Sequence, residues 1–130
     1  MSTNIELTRD AYDAINRRDI EWLSARVHPD VEMHMFGIAG VPVVYRGADG
    51  IREYFRDMDE LWEWFEAVPE EIRDLGDRVF VIGRQRFRGR ASGIEVEERS
   101  ALVFHLRDGL LTEMRAYQSV EDALAAAGLQ

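Results

Sequence analysis

One carboxylate stands among apolar residues in the second half of the chain. Glu98 precedes Ser100, Leu102 and Phe104 at steps of two, so in an extended segment the four side chains share one face. If that face is enclosed, desolvation raises the pKa of the Glu98 carboxyl, and such a group can act as a general acid or base near neutral pH. The alternative is that Glu98 lies near a hairpin tip and is simply solvated.

Two tyrosines and one glutamine could orient a polar group of a small molecule. Tyr12 and Tyr54 lie on apolar helical stripes, where a phenol can donate to a carbonyl or can pack in the core with a backbone partner. Gln118 shares the inward parity of Met114 and Ala116 and could contribute an amide. We predict Glu98 and Tyr12 as the catalytic residues of the site, if a reaction occurs.

The histidines and the absence of cysteine restrict metal and redox chemistry. His28, His34 and His105 are far apart in sequence and match no zinc spacing. The chain has no cysteine, which excludes disulfides, thiolate nucleophiles and iron–sulfur clusters. We therefore expect no metal site and no cofactor.

Hydrophobic periodicity predicts a helical first half and a strand-rich second half, the order expected of an α+β domain. In the first half the predicted elements are a helix from Thr3 to about Arg18, a short helix after Asp19, a strand Val31–Phe36, a loop Gly37–Gly47 and a helix from Asp49 to about Trp62. In the second half they are strands near Trp64–Ile72, Arg78–Arg90, Ile94–Leu106 and Leu110–Gln118, then a short helix from Ser119 to Gly128.

The two longest strands are predicted to form a hairpin with Ser92-Gly93 as a two-residue turn. This register places Arg90 opposite Glu95 and Arg88 opposite Glu97, which neutralises the outer face. On the inner face it pairs Phe87 with Glu98, Gln85 with Ser100, and Gly83 with Leu102.

The outer face of this hairpin carries an apolar patch, which we define as Ile82, Ala101, Val103, His105 and Tyr117. An antiparallel sheet that faces water on its back would be polar there. Exposed apolar patches of this kind mark interfaces. We therefore expect a homodimer through the outer sheet face.

Length and charge restrict the remaining classes of protein. The chain has 130 residues, enough for one domain covering residues 1–130. Its net charge of −9 argues against binding to nucleic acids or anionic membranes. The sequence has no apolar run of about 20 residues and no signal-peptide pattern at its start. We expect a cytoplasmic protein.

Short motifs are spread along nearly the whole chain: Asn16-Arg17-Arg18-Asp19, His28-Pro29-Asp30-Val31, Tyr45-Arg46-Gly47, Ile51-Arg52-Glu53-Tyr54-Phe55, Gly76-Asp77-Arg78-Val79, Arg107-Asp108-Gly109, Ala116-Tyr117 and Asp122-Ala123-Leu124. In their order and spacing they resemble the SnoaL-like branch of the nuclear transport factor 2-like superfamily, which includes the ketosteroid isomerases and the limonene epoxide hydrolases. The resemblance implies a cystatin-like α+β roll, in which a curved antiparallel sheet wraps around the helices as a cone with an internal apolar pocket. It also implies dimerisation through the sheet.

The resemblance does not carry over the catalytic groups of the isomerases. The general-base aspartate of that family would fall at Met35, the second pocket acid at Leu102, and the pocket tyrosine near Ala11, one residue from Tyr12. A thioether cannot take a proton and an isobutyl group cannot donate a hydrogen bond. The arginine and two aspartates of the epoxide hydrolases cannot be placed either.

Three functions remain open, because this fold does not select one. The first is a lyase, isomerase or polyketide cyclase that acts by acid–base catalysis, without cofactor, on an apolar cyclic substrate. The second is a non-catalytic dimeric module that binds a small apolar ligand, and the third is a structural dimer. The residues predicted to bind the ligand are Met33, Met35, Tyr54, Phe55, Met58, Gln85, Phe87, Ser100, Leu102, Met114 and Gln118.

Overall fold

The computed structural model describes residues 3–37 and 40–129. Its helices are α1 (Thr3–Asn16), α2 (Ile20–Ser24), α3 (Gly47–Leu61) and α4 (Val120–Ala127), and its strands are β1 (Val27–Phe36), β2 (Pro42–Arg46), β3 (Trp62–Asp74), β4 (Arg78–Gly89), β5 (Glu95–Arg107) and β6 (Leu110–Tyr117). Ile38 and Ala39 of the predicted loop lie outside the described residues. Within the described ranges, no helix is long and apolar enough to cross a membrane.

The six strands form one curved sheet in the order β2-β1-β6-β5-β4-β3. Neighbours are antiparallel except β1 and β6, which run parallel. A bulge between Pro69 and Glu71 of β3 lies opposite Gly83 of β4, and bulges bend the strand that carries them. A Cβ at Gly83 would lie 2.2 Å from the carbonyl oxygen of Val68, so only glycine permits this close approach. The predicted α+β class and the curved sheet are confirmed.

The main core lies between the concave face of the sheet and the helices. On α3 the buried side chains Ile51, Tyr54, Phe55 and Met58 recur at steps of three and four, which gives the helix one apolar face. They belong to one core cluster with α1 and with strand residues such as Phe104. The helices that fill the cone therefore also form one wall of whatever space remains inside it.

The predicted dimer interface is covered by the chain itself. α4 packs on the outer face of the sheet, where Ala123 and Ala127 join Ile82, Ala101 and Val103 in a second core cluster, with Tyr117 at its edge. Ile82, Ala101 and Val103 are at most 7% exposed. The prediction of an exposed apolar patch was wrong because α4 packs on these apolar side chains and buries them. His105 lies outside this cluster, beside Glu113. The expected dimer loses the patch on which it rested.

Two strand boundaries differ from the prediction. β1 begins at Val27 and runs through Pro29, which is tolerated because its pairing with β6 is interrupted between Val27 and Glu32 and no ladder hydrogen bond is lost there. The predicted loop Gly37–Gly47 contains β2, which pairs with the end of β1. A strand of five residues that starts at a proline gives little alternation to detect.

The register of the hairpin is shifted by two residues from the prediction. Gly89 donates to the carbonyl of Ile94 and Gly93 donates to Gly89, so the loop is longer than the predicted two-residue turn. Because the shift is even, every side chain keeps its predicted face, but the partners change. Arg88 lies opposite Glu95, Gln85 opposite Glu98, Gly83 opposite Ser100, Phe87 opposite Val96, and Val81 opposite Leu102.

Candidate functional site

A cavity of about 610 Å³ lies between the concave face of the sheet and helices α1 and α3. Aliphatic, thioether and aromatic side chains form most of its wall: Ile15, Met35, Phe36, Met58, Leu61, Trp62, Phe65, Ala67, Phe87, Leu102, Met114 and Ala116. Such a volume lies within the range of roughly 300–1,000 Å³ typical of small-molecule sites.

Most of the predicted site residues line this cavity. They are Tyr12, Met35, Tyr54, Met58, Gln85, Phe87, Glu98, Ser100, Leu102, Met114 and Gln118. Met33 and Phe55 do not line it and are buried in the core. Phe55 is turned away because the next residue on a helix points about 100° from Tyr54, and the guanidinium of Arg18 lies 5.8 Å from its ring centre.

The hydroxyl of Tyr12 is buried in the cavity wall without a hydrogen-bond partner in the described part of the chain. Its ring packs edge-on against Phe104, with centroids 6.0 Å apart. Burial raises the pKa of the Tyr12 phenol, so the group stays neutral and keeps its proton to donate. The phenol thus keeps one unused donor behind the accessible surface of the cavity wall, next to the position at Ala11 where the resemblance placed a tyrosine.

A tyrosine and an aspartate that the sequence analysis missed form a second polar point in the wall. Tyr45 of β2 donates to Oδ2 of Asp57 on α3 over 2.6 Å, and both residues line the cavity. A Cβ at Gly50 would lie 2.8 Å from the carbonyl carbon of Tyr45. Glycine at position 50 therefore lets α3 approach β2 closely enough for this bond.

The ring of a second tyrosine, Tyr54 of α3, packs against Tyr45. The rings of Tyr45 and Tyr54 meet edge to face, with centroids 5.5 Å apart and planes at 76°. Burial raises the pKa of Tyr54 to about 12, and burial followed by the bond to Asp57 raises the pKa of Tyr45. Both phenols are therefore neutral. The spacing of Asp57 from Tyr54 and Leu61, at three and four residues, was the sequence signal for its inward position.

Glu98 lines the rim of the cavity, but its side chain is exposed. The Nε2 of Gln85 donates to its Oε1 over 2.5 Å. The desolvation on which the predicted role of Glu98 depended is therefore missing, because the wide end of the cone is open to solvent. The alternation of side chains along β5 correctly predicted that Glu98 lies on the inner face of the sheet. Glu98 and Ser100 both border the cavity there.

The outer face of the sheet carries a group of possible metal ligands that sequence spacing did not indicate. Atoms of Glu32, His34 and Glu113 lie within 4.8 Å of one another, because β1 and β6 are neighbours. Nε2 of His34 is 2.9 Å from Glu32 and 3.6 Å from Glu113. Arg46 and Arg115 each form an ion pair with one of the two carboxylates, and the bond to His34 lowers the pKa of Glu32. The group is thus a balanced ion-pair network.

Known structures share this architecture. An NTF2-like protein of unknown function from Burkholderia pseudomallei K96243 superposes with a TM-score of 0.81 at 23% identity, over 96% of this chain and 97% of that one. An NTF2-like protein from Burkholderia thailandensis E264 gives 0.78 at 28% identity, over 99% and 98%. TerC, co-crystallised with polyporic acid, gives 0.77 at 27% identity, over 98% of both chains.

Sequence comparison gives the family. A search of curated protein sequences found no match. The model of the SnoaL-like domain family matches residues 8–114, which include most of α1, all of α3 and most of the sheet that encloses the cavity. The chain belongs to the SnoaL-like domain family, within the NTF2-like fold.

Proposed function

We propose that this protein binds a small, largely apolar molecule that presents a hydrogen-bond acceptor to Tyr12. The observation that carries the proposal is the unpartnered hydroxyl of Tyr12 in the wall of an apolar cavity of about 610 Å³. A buried donor without a partner costs about 1–3 kcal/mol, and a ligand oxygen that displaces the groups covering this hydroxyl recovers that free energy. TerC, at 27% identity, was co-crystallised with a small molecule, which supports the same use of the fold here.

A matched pair of neutral probes tests the proposal. 2-Acetylnaphthalene carries a carbonyl oxygen, and 2-isopropenylnaphthalene replaces that oxygen with a methylene group of similar shape. Binding of each is measured through the change in tryptophan fluorescence, to which Trp62 in the cavity wall contributes together with Trp22 and Trp64. We expect the ketone to bind about tenfold more tightly than the alkene, the ratio that corresponds to one hydrogen bond of roughly 1.4 kcal/mol.

Tyr12→Phe is the variant that decides the result. It should bring the affinity of the ketone down to that of the alkene while leaving the alkene unaffected, because only the donor is removed. A control variant, Thr112→Val, removes a hydroxyl that donates to the carbonyl of His105 on β5 and does not line the cavity, and it should keep the difference. Absence of binding by either probe, or an undiminished preference in Tyr12→Phe, contradicts the proposal.

A second candidate function is cofactor-free proton transfer, as in a lyase, isomerase or polyketide cyclase. The observation that favours it is that Gln85 holds the Glu98 carboxylate at the rim of the cavity, on the same inner face as Ser100. In this function Glu98 takes a proton from a carbon next to a carbonyl. The electron pair of the broken C–H bond moves to the oxygen, which Tyr12 stabilises by its hydrogen bond, and Glu98 returns a proton to the carbon.

Exchange of the methyl protons of 2-acetylnaphthalene for deuterium in D₂O measures this activity directly by proton NMR. The protein should accelerate the exchange, Glu98→Gln should reduce it to the rate in buffer, and Glu97→Gln on the outer face should not change it. Equal exchange with and without protein leaves binding as the function.

A further inference from the structure

In the part of the chain that the structure describes, the cavity wall contains carboxylates but presents no basic side chain to the interior. Asp57 and Glu98 line it. Among the described residues of the wall the only basic one is Arg99, at the rim. Its partner across the hairpin is Arg84, whose guanidinium binds Glu70 and Glu97 on the outer face. Strand alternation therefore directs Arg99 away from the interior.

We propose that Asp57, Tyr45 and Tyr54 form a subsite for a positively charged alkylammonium group of the ligand. The inference deepens the proposed function and rests on it, since it names a second feature of the molecule that the cavity binds. The cation would lie beside the carboxylate of Asp57 and against the two phenol rings. The rest of the ligand would occupy the apolar space toward Tyr12.

The carboxylate of Asp57 has one oxygen free for a ligand. Its Oδ2 accepts the hydrogen bond from Tyr45, whereas Oδ1 has no hydrogen bond or ion pair within residues 3–37 and 40–129. Arg18 forms an ion pair with Asp59 at 3.3 Å, and its charge also acts on the phenol of Tyr54, whose pKa it lowers against the larger effect of burial. A carboxylate fixed by a neutral tyrosine, with one oxygen still available, is a receptor for a cation and repels an anion.

The ring of Tyr45, which binds Asp57, and the ring of Tyr54, which packs on Tyr45, supply the second component of a cation site. Tyr45 and Tyr54 meet at 76°, so their faces form a corner. The negative face of an aromatic ring attracts an ammonium group, and aromatic corners closed by a carboxylate suit alkylated amines, whose weak hydration makes them cheap to desolvate. The net charge of −9 further favours the approach of a cation over that of an anion.

A charged probe and its carbon isostere isolate this effect. Benzyltrimethylammonium and neopentylbenzene have the same shape and differ only in the positive charge. We expect the cation to bind the wild-type protein about tenfold more tightly than the neutral isostere, as measured by proton NMR titration.

Asp57→Asn removes the charge while its amide oxygen can still accept from Tyr45. It should abolish the preference for the cation and leave the affinity for neopentylbenzene unchanged. Glu60→Gln is the matched control, because it removes one negative charge from an exposed position of the same helix, and it should retain the preference. Equal affinities in the wild-type protein, or an unchanged preference in Asp57→Asn, overturn the inference.

Binding of 2-acetylnaphthalene separates this inference from the proposed function. If the ketone binds and benzyltrimethylammonium does not, the cation subsite is wrong and the proposed function stands. If none of the probes binds, both are wrong. Retention of ketone binding by Asp57→Asn also shows that this variant is folded.

Discussion

Two tyrosines of the cavity wall differ in whether their hydroxyl has a hydrogen-bond partner. Tyr45 has a partner in Asp57, whereas the hydroxyl of Tyr12 has none in the described ranges. A satisfied buried hydroxyl stabilises the fold, and an unsatisfied one is a cost that the fold carries. At the scale of the residue, the hydroxyl of Tyr12 therefore adds nothing to the stability of the empty protein, and we propose that it serves ligand binding.

This difference predicts opposite effects of two conservative variants in the absence of ligand. Tyr12→Phe should raise the free energy of unfolding by up to about 1 kcal/mol, and Tyr45→Phe should lower it by about 1–2 kcal/mol. Urea unfolding followed by circular dichroism measures both. A loss of stability in Tyr12→Phe as large as that in Tyr45→Phe would mean that the hydroxyl of Tyr12 has a partner in the empty protein.

At the scale of the residue, the sequence predicted which face of a helix or strand a side chain occupies. It predicted less well how exposed that side chain is. The inward positions of Tyr12, Leu102 and Glu98 followed from helical and strand periodicity alone. The exposure of Glu98 did not, because it depends on how far the open end of the cone extends beyond it. Tyr45 and Asp57 were missed because their contact needs β2, which a five-residue segment within a predicted loop did not reveal.

At the scale of the element, α4 covers the apolar outer face of the sheet. It begins at Ser119, whose side chain accepts from the amide of Asp122, and it ends at Gly128 in the left-handed conformation with φ of 73°. Between these ends its buried alanines cover the outer face of the sheet. The element therefore closes the surface that would otherwise be an apolar patch.

Charged substitutions on the two faces of α4 test whether its packing against the sheet stabilises the protein. Ala123→Asp places a carboxylate against Phe80 and Val103, where it has no partner, and should lower the free energy of unfolding by about 3 kcal/mol. Ala125→Asp, on the exposed face of the same helix, should change it by less than about 1 kcal/mol. Urea unfolding gives both values, and equal losses would contradict the packing described for α4.

Strand alternation explains both the success and the failure of prediction for this element. It identified Ile82, Ala101 and Val103 as apolar residues on the outer face. It carries no information on whether another subunit or a later helix of the same chain covers them. The hairpin shows the same limit, since an even shift of register preserves faces and alters every partner, including that of Glu98.

For the molecule as a whole, burial links all four tyrosines to stability at high pH. Burial raises the pKa of Tyr12, Tyr45 and Tyr117, and that of Tyr54 to about 12, against about 10 in an unfolded chain. The folded state thus holds protons that the unfolded state releases. The stability contributed by these phenols is complete below pH 10 and is lost as the pH rises from 10 through 12.

Tyrosinate absorbance at 295 nm checks this prediction. The folded protein should show little ionisation near pH 10, and the main rise in absorbance should coincide with the loss of the circular dichroism signal. Ionisation of several tyrosines near pH 10 with the fold intact would contradict the burial of these rings. The order of helices and strands predicted the fold but not β2, whose Tyr45 lines the cavity.

The central claim is that the cavity binds a small molecule, and the methionine methyl groups test it most directly. Met35, Met58 and Met114 line the cavity, whereas Met33 lies in the core. In a carbon–proton NMR spectrum of protein with ¹³C-labelled methionine methyls, 2-acetylnaphthalene should shift the signals of those three and leave that of Met33 nearly unchanged. Absence of shifts, or a shift confined to Met33, would contradict the claim.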